Sequence, residues 1–239
     1  MERLQKVIAN SGYTSRRKAE DLIKNSKVKV NDVIITELGY KANEKDEIKI
    51  DDIIIEKEPK VYYLLNKPRG VISTTDDDKN RKTVVSLIQT SARIYPVGRL
   101  DYDTTGLLLL TNDGQFANFM MHPKNNIDKV YVAKIKGKLL PNELMKLKNG
   151  VIIDGIKTSK SKVKIKNYDY KTDTSIVEIT IHEGKNHQVK KMFSKVSHEV
   201  IKLKREKIAF LTLEGLKSGE YRKLTIKEVK QLYSMANKK

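Results

Sequence analysis

The residues with the clearest capacity for chemistry lie in residues 98–114, where an acidic side chain precedes a strongly apolar run. Asp101 follows Arg99 by two positions and comes shortly before four consecutive leucines at 107–110. A short apolar run bounded by turn residues predicts an interior strand, which would support the carboxylate rigidly. In an extended backbone Arg99 and Asp101 point the same way. The pair is therefore either a reactive carboxylate with a nearby cation or an ordinary structural ion pair.

A helix predicted over residues 187–196 carries a second candidate. Its inward stripe consists of Val189, Met192, Phe193 and Val196. Lys190 lies one step off this stripe, at its edge, where a lysine can lean into a cleft. The alternative is an exposed helix lysine, as expected for the neighbouring Lys191.

Tyr131 is a third candidate, in the predicted strand 130–135. A tyrosine in a strand more often lies in the core, with its hydroxyl hydrogen-bonded to a protein group. The functional alternative is a ring that packs against a bound ligand.

Composition points to a polyanionic partner. The 239 residues contain 48 Lys and Arg against 30 Asp and Glu, a net charge of +18, and nucleic acid is the polyanion that best rewards many cationic contacts. No apolar run approaches the roughly 18 residues of a membrane span, and no apolar signal region follows Met1. The absence of cysteine excludes disulfides and thiolate chemistry, and the spacing of the four histidines argues against a metal site.

The charge distribution predicts two units. Residues 1–60 carry 13 basic and 12 acidic side chains, whereas the remainder carries 35 and 18. Two short helices and a small sheet are predicted in the first unit, with a linker near residues 57–61. In the second unit, strands outnumber helices and do not alternate with them regularly, which favours an α+β class. Predicted strands are 61–65, 107–110, 130–135, 161–165, 176–181 and 200–203, and predicted helices are 84–89, 115–121, 142–149, 187–196 and 226–235.

Four motifs give the chain a strong resemblance to the RsuA/RluB family of RNA pseudouridine synthases. In order, they are Asn66-Lys67-Pro68-Arg69-Gly70, the run 98–114 with its Gly-Arg-Leu-Asp, Lys129-Val130-Tyr131, and residues 183–193 with Asn186-His187-Gln188-Val189-Lys190. The resemblance implies an S4 RNA-binding domain over residues 1–58. It also implies a catalytic domain over residues 61–239, with a largely antiparallel mixed sheet flanked by helices.

Site roles follow from the same resemblance. It implies that Asp101 is the catalytic residue, that Lys190 is the cation beside it and that Tyr131 packs on the target base. Arg99 is expected near the gap that the base leaves, or else paired with Asp103. Lys67, in the first motif, is expected to contribute to substrate binding.

Two basic surfaces are predicted to contact the RNA backbone. The first belongs to the N-terminal unit and consists of Arg16, Arg17, Lys18, Lys24, Lys27 and Lys29. The alternative to RNA contact is that these residues lie on a helix face exposed only to solvent. The second is a predicted basic strand face of Lys202, Lys204 and Arg205, which would track phosphates. In the N-terminal unit, the turn Asn31-Asp32 has aspartate where relatives usually have glycine.

The function expected from these observations is isomerisation of uridine to pseudouridine in ribosomal RNA, in the cytoplasm. The reaction needs no redox partner or group donor, so no cofactor or metal is expected, and we expect a monomer.

The C-terminal segment is most like the large-subunit (23S) branch of the family. A small-subunit (16S) enzyme and a non-catalytic S4-type assembly factor remain as alternatives. A methyltransferase is disfavoured because Gly98, Gly106 and Gly114 are too far apart to form a glycine-rich loop. Residues 237–239 are expected to fray.

Overall fold

The structure is a computed structural model that describes residues 1–236, and the chain divides into two compact units. The first comprises residues 1–61, 90–94 and 112–114, and the second comprises residues 62–89, 95–111 and the chain from residue 115 onward. The domain limits at residues 58 and 61 stay predictions. The expectation that residues 237–239 fray falls outside the described residues.

The N-terminal unit contains two helices and two small antiparallel sheets. β1 pairs with β4, and the other four strands form a sheet in the order β3-β2-β5-β6. The elements are β1 Glu2–Arg3, α1 Leu4–Asn10, α2 Arg16–Lys24, β2 Val28–Val30, β3 Val33–Ile34, β4 Lys41–Ala42, β5 Ile48–Ile50 and β6 Ile53–Ile54.

Local chemistry explains why this unit folds as its sequence predicts. Ser15 caps α2, because its hydroxyl accepts a hydrogen bond from the Lys18 amide at 3.2 Å. Asn31 and Asp32 have φ angles of 50° and 65° between β2 and β3, the left-handed conformation that a two-residue hairpin turn requires. Asparagine and aspartate tolerate this conformation. Asp32 therefore fills the position usually taken by glycine without changing the hairpin.

The second unit is built on one large sheet with helices against it. Its elements are β7 Tyr62–Lys67, β8 Tyr95–Pro96, β9 Thr105–Thr111, α3 Gly114–Met121, β10 Lys129–Lys136, α4 Pro141–Asn149, β11 Ile152–Ile153, β12 Ile156–Lys157, β13 Lys162–Asp169, β14 Thr174–Ile181, α5 Gln188–Ser194, β15 Val200–Ile208, β16 Leu211–Thr212, β17 Tyr221–Lys223 and α6 Ile226–Ala236. Every predicted strand and helix of this unit is present, except that the predicted helix 84–89 is a single 3₁₀ turn, Val85–Leu87.

The large sheet has nine strands, in the order β13-β14-β10-β15-β9-β7-β17, with β16 added to β15 and β8 to β9. Its pairings are antiparallel except that of β15 with β9, which is parallel. The predicted α+β class with a largely antiparallel mixed sheet is therefore correct.

The leucine run lies in the middle of this sheet, as β9. Leu107 and Leu109 pack in a core cluster with Phe116, while Leu108 and Leu110, on the other side of the strand, are also fully buried. At the start of β9, Gly106 is paired with Arg205 of β15, and a Cβ at Gly106 would lie 2.2 Å from the Arg205 carbonyl oxygen. Only glycine permits this parallel junction.

Within residues 1–236, none of the helices is both long enough and apolar enough to cross a lipid bilayer.

Candidate active site

A loop with several backbone anchors positions Asp101 immediately before β9. Lys67 donates a hydrogen bond to the Asp101 carbonyl at 3.0 Å, and the Ser73 hydroxyl donates to the Leu100 carbonyl at 2.7 Å. The Gly70 amide donates to the Tyr102 carbonyl at 2.8 Å. The loop therefore has little freedom, which is what a reactive side chain requires of its support.

Lys190 of α5 and His187, the residue before α5, face the Asp101 carboxylate. Lys190 Nζ lies 3.2 Å from Asp101 Oδ2 and 2.6 Å from Asp103 Oδ1. Burial lowers the pKa of Lys190, but its hydrogen bonds to Asp103 and Asp101 outweigh burial, so the net shift is upward. His187 Nε2 lies 3.6 Å from Asp101 Oδ1. Lys190 is therefore a charged bridge between two carboxylates.

His187 is a neighbour of Asp101 that sequence analysis did not single out. It precedes α5 with a φ of 53°, a backbone conformation uncommon outside glycine. The available signal was its position in the motif of residues 183–193, three residues before Lys190.

The packing of α5 explains why Lys190 faces the site and Lys191 does not. Val189, Met192 and Phe193 are buried along the predicted inward stripe, which fixes the rotation of the helix. Lys191 instead forms an ion pair with Asp154, in the turn between β11 and β12. Lys190 and Lys191 thus have different carboxylate partners.

Tyr131 lies on β10 and is 8% exposed, with Arg205 of β15 directly opposite in the strand register. Arg205 Nη1 donates to the Tyr131 hydroxyl at 3.3 Å, and the guanidinium carbon lies 5.8 Å from the ring centroid. The tyrosine therefore has a satisfied hydroxyl and also lines the cleft.

Arg205 corrects the predicted basic strand face. Side chains alternate along a strand, so Arg205 shares a face with Leu203 and lies opposite Lys202 and Lys204. It is 3% exposed and cannot reach an RNA backbone at the surface. Lys202 and Lys204 are exposed, and Lys204 Nζ lies 3.5 Å from Glu206.

Asp101, Tyr131, Lys190 and Arg205 line one cleft of about 570 Å³. Asp101 is the one carboxylate among its lining residues, and Arg99 is an exposed member of the lining. The alternative pairing of Arg99 with Asp103 is not formed, because Asp103 binds Lys190 instead. Among residues 1–236 no group of acidic or histidine side chains could hold a metal ion.

Lys67 corrects a second prediction. It is fully buried and does not line the cleft, so it cannot contact a substrate there. Its ammonium group donates to the carbonyls of Pro68, Asp101 and Thr104 at 3.1, 3.0 and 2.9 Å. Burial lowers its pKa to about 8, opposed by the charges of Asp101 and Asp103. Lys67 is a support for the Asp101 loop.

Replacing Lys67 by methionine is expected to lower the free energy of unfolding by about 2 to 4 kcal/mol, because the buried Thr104 carbonyl and the half-buried carbonyls of Pro68 and Asp101 lose their donor. Turnover should also fall, since small displacements of a reacting group are costly. Chemical denaturation and a turnover assay would measure both effects. Lys82→Met, at an exposed position of the same unit, is the control and should leave both unchanged. A Lys67→Met variant as stable as wild type would contradict this role.

The basic residues predicted in the N-terminal unit differ in their surroundings. Arg16, Arg17, Lys18 and Lys24 are exposed on α2. Lys27 Nζ lies 3.6 Å from Asp51 Oδ2, and Lys29 Nζ lies 2.6 Å from Asp52 Oδ1. The α2 cations are thus the more available to an anionic partner.

Comparison with known proteins gives two domain matches. Residues 61–195 match the family model described as RNA pseudouridylate synthase, and residues 2–48 match the S4 domain.

Individual relatives match over nearly their whole length. The chain is 56% identical to ribosomal large subunit pseudouridine synthase B of Bacillus subtilis, over 99% of this chain and 98% of the relative. It is 38% identical to an uncharacterized RNA pseudouridine synthase of Aquifex aeolicus, over 97% and 93%. A solved structure described as pseudouridylate synthase is similar with a TM-score of 0.70 and 33% identity, over 97% of this chain and 100% of that one.

Proposed function

This chain belongs to the RNA pseudouridylate synthase family, and on that premise we propose that it isomerises uridine to pseudouridine in large-subunit ribosomal RNA. The family resemblance predicted from four motifs, the S4 domain and the α+β fold are confirmed. The observation that carries the proposal is Asp101, a loop-anchored carboxylate that faces Lys190 in a cleft lined by Tyr131.

The proposed reaction uses the side chains of this cleft without a redox cofactor or an activated donor. The glycosidic C1′–N1 bond breaks, the base turns over, and its C5 forms a bond to C1′. A single carboxylate can assist either by attacking the sugar as a nucleophile or by helping to remove a proton from it. Asp101 has this role, Lys190 holds its carboxylate in place, and Tyr131 contacts the extruded base. Arg99, exposed at the cleft, lies near the gap that the base leaves.

The choice of ribosomal RNA as substrate rests on two kinds of support. The relative with 56% identity is named for the large ribosomal subunit, and the net charge of +18 suits a polyanion. Lys202 and Lys204, exposed on β15, are suited to binding phosphates. We propose that the protein acts as a monomer in the cytoplasm, and the absence of cysteine fits that reducing compartment.

Pseudouridine mapping tests this proposal. Ribosomal RNA from cells that lack the protein should lose pseudouridine at one or a few large-subunit positions, and expression of the wild-type chain should restore it. Loss at small-subunit positions instead would redirect the proposal to the other ribosomal RNA. An unchanged map in both subunits would overturn it.

The S4 domain is proposed to bind the RNA backbone through α2. Replacing Arg16 and Arg17 together by glutamine should flatten the slope of log affinity against log salt by roughly 1.4 to 1.8 units, because two phosphate contacts are lost and fewer counterions are released. Titrations of ribosomal RNA fragments over a range of salt concentrations measure this slope.

The matched control removes two other positive charges from the same unit. Lys41 and Lys45 are exposed and lie outside the predicted basic surface, so the double change to glutamine should alter the slope by less than about 1 unit. Equal slopes for the two double variants would show that α2 makes no specific contact with the phosphates.

A further inference from the structure

Among the cations that line the cleft, two are shielded from water and are not neutralised by its carboxylate: Arg205 is buried and Lys129 is half-buried. Arg205 and Lys129 line it together with Asp101, but the Asp101 oxygens face Lys190 and His187. Within residues 1–236, no carboxylate forms an ion pair with Arg205 or Lys129. Cations removed from water without a counter-charge are unfavourable, so their presence in a ligand cleft indicates an anionic ligand.

One hydrogen-bond donor of Arg205 has no acceptor within the described part of the chain. Its Nε donates to the Leu107 carbonyl at 2.7 Å, and its Nη1 donates to the Tyr131 hydroxyl at 3.3 Å. Its Nη2 is buried and has no hydrogen-bond partner. An arginine 3% exposed with an orphaned donor at a cleft is suited to bind an oxygen of a ligand.

Lys129 lines the same cleft as this guanidinium. Its Nζ donates a hydrogen bond to the His182 carbonyl at 3.3 Å. Burial and then the charge of Arg205 lower its pKa to about 8, against the opposing charges of Asp128 and Glu183. Those two carboxylates are engaged elsewhere, since Asp128 lies 3.8 Å from Lys162 and Glu183 accepts from Gln188 at 2.6 Å.

The strand register brings the two cations to the ring that is proposed to contact the base. Lys129 and Tyr131 are two residues apart on β10 and therefore share a face. Arg205 of β15 lies directly opposite Tyr131. The two cations and the tyrosine thus form one patch on the sheet that lines the cleft.

We propose that Arg205 and Lys129 bind the carbonyl oxygens of the target uracil and stabilise the negative charge that this base acquires when the C1′–N1 bond breaks. The inference rests on the proposed function. When that bond breaks heterolytically, its electron pair stays on the pyrimidine, spread over N1 and the two carbonyl oxygens. After C5 bonds to C1′, C5 loses its proton and N1 gains one, so no atom or electron is lost overall.

A base is a better occupant of this patch than a phosphate of the RNA chain. A phosphodiester continues into nucleotides on both sides, which a buried patch on the sheet cannot admit. A base is the free end of its nucleotide and can enter such a patch alone. Fixed cations at the position of developing charge stabilise a transition state more than a ground state.

A binding experiment that needs no turnover tests the charge preference. The probes are 5-nitrouracil, which is an anion at neutral pH because its nitro group withdraws electrons, and uracil, which is neutral there. Calorimetric titration of the full chain should show about tenfold tighter binding of the anion. Lys129→Met should abolish this preference, and Lys129→Arg should restore it because the charge returns. Lys134→Met, on the other face of β10, is the matched control and should keep the preference.

A kinetic experiment tests the same residue in the reaction. Single-turnover release of tritium from C5 of uridine in a large-subunit ribosomal RNA transcript should slow by about 10² to 10³-fold in Lys129→Met, with RNA affinity within about twofold of wild type. The melting temperature of each variant, measured in parallel, distinguishes misfolding from loss of charge. This control matters most for Arg205→Met, because Arg205 also donates a hydrogen bond to the Leu107 carbonyl.

The outcomes separate this inference from the proposed function. Normal turnover in Lys129→Met overturns the inference and leaves the function intact, as does an anion preference that survives in that variant. If the wild type releases no tritium but prefers the anion through Lys129, the proposed function fails and the pyrimidine-anion site stands. If neither pyrimidine binds detectably, the kinetic result alone decides.

Discussion

Replacing Asp101 by asparagine is expected to reduce pseudouridine formation by at least about 10⁴-fold, while RNA affinity stays within a few fold of wild type. The substitution keeps the shape of the side chain and removes its charge, and the cleft has no second carboxylate to take over. Loss of a nucleophile or its equivalent has effects of this size. Tritium release from C5-labelled ribosomal RNA, with a parallel binding titration, measures both quantities.

Asp103→Asn is the matched control for this prediction. Asp103 is two residues away, also contacts Lys190, and is more exposed than Asp101, with 46% of its side-chain surface accessible. Lys190 lowers the pKa of Asp103 through a hydrogen bond, so this carboxylate is charged and its removal is a fair test of charge alone. The control should retain most activity. If the Asp101→Asn variant keeps more than about a hundredth of wild-type turnover, the catalytic assignment is wrong.

Replacing Lys190 by alanine is expected to lower turnover by about 10² to 10³-fold, with a much smaller effect on RNA affinity. Lys190 contacts both Asp101 and Asp103, so its loss leaves two neighbouring carboxylates without the cation between them. Charge stabilisation removed from a reacting centre has effects of this order. Single-turnover kinetics at saturating enzyme separate the loss in rate from the loss in binding.

Lys191→Ala removes the same side chain one position along α5 and serves as the control. Because Lys191 pairs with Asp154 and not with the carboxylate of the cleft, it should leave the chemical step nearly unchanged. Any effect should appear as a small, salt-dependent change in affinity. Equal losses of rate in the two variants would show that Lys190 does not act on the chemical step.

The sequence was sufficient to predict the family and most of the longer helices and strands of the second unit. The leucine run predicted a buried central strand, and the structure has it as β9 Thr105–Thr111. The stripe of Val189, Met192 and Phe193 predicted the inward face of α5, and these three side chains are buried. These inferences succeeded because hydrophobic periodicity and turn residues act over a few neighbouring positions, so the information they carry is present in a short segment.

Contacts between distant segments were decided only by the tertiary structure. Arg205 was predicted at an RNA surface, although the alternation of side chains along a strand places it on the face of Leu203. Lys67 was assigned to substrate binding through its motif. In the structure, the parallel junction at Gly106 places Arg205 beneath Tyr131, and three carbonyls surround the ammonium of Lys67. Whether a cation is buried depends on which carbonyls and rings pack around it. Lys67 lies 34 residues from Asp101 in the sequence, and Arg205 lies 98 residues from Leu107. Local sequence patterns do not encode contacts between such distant positions.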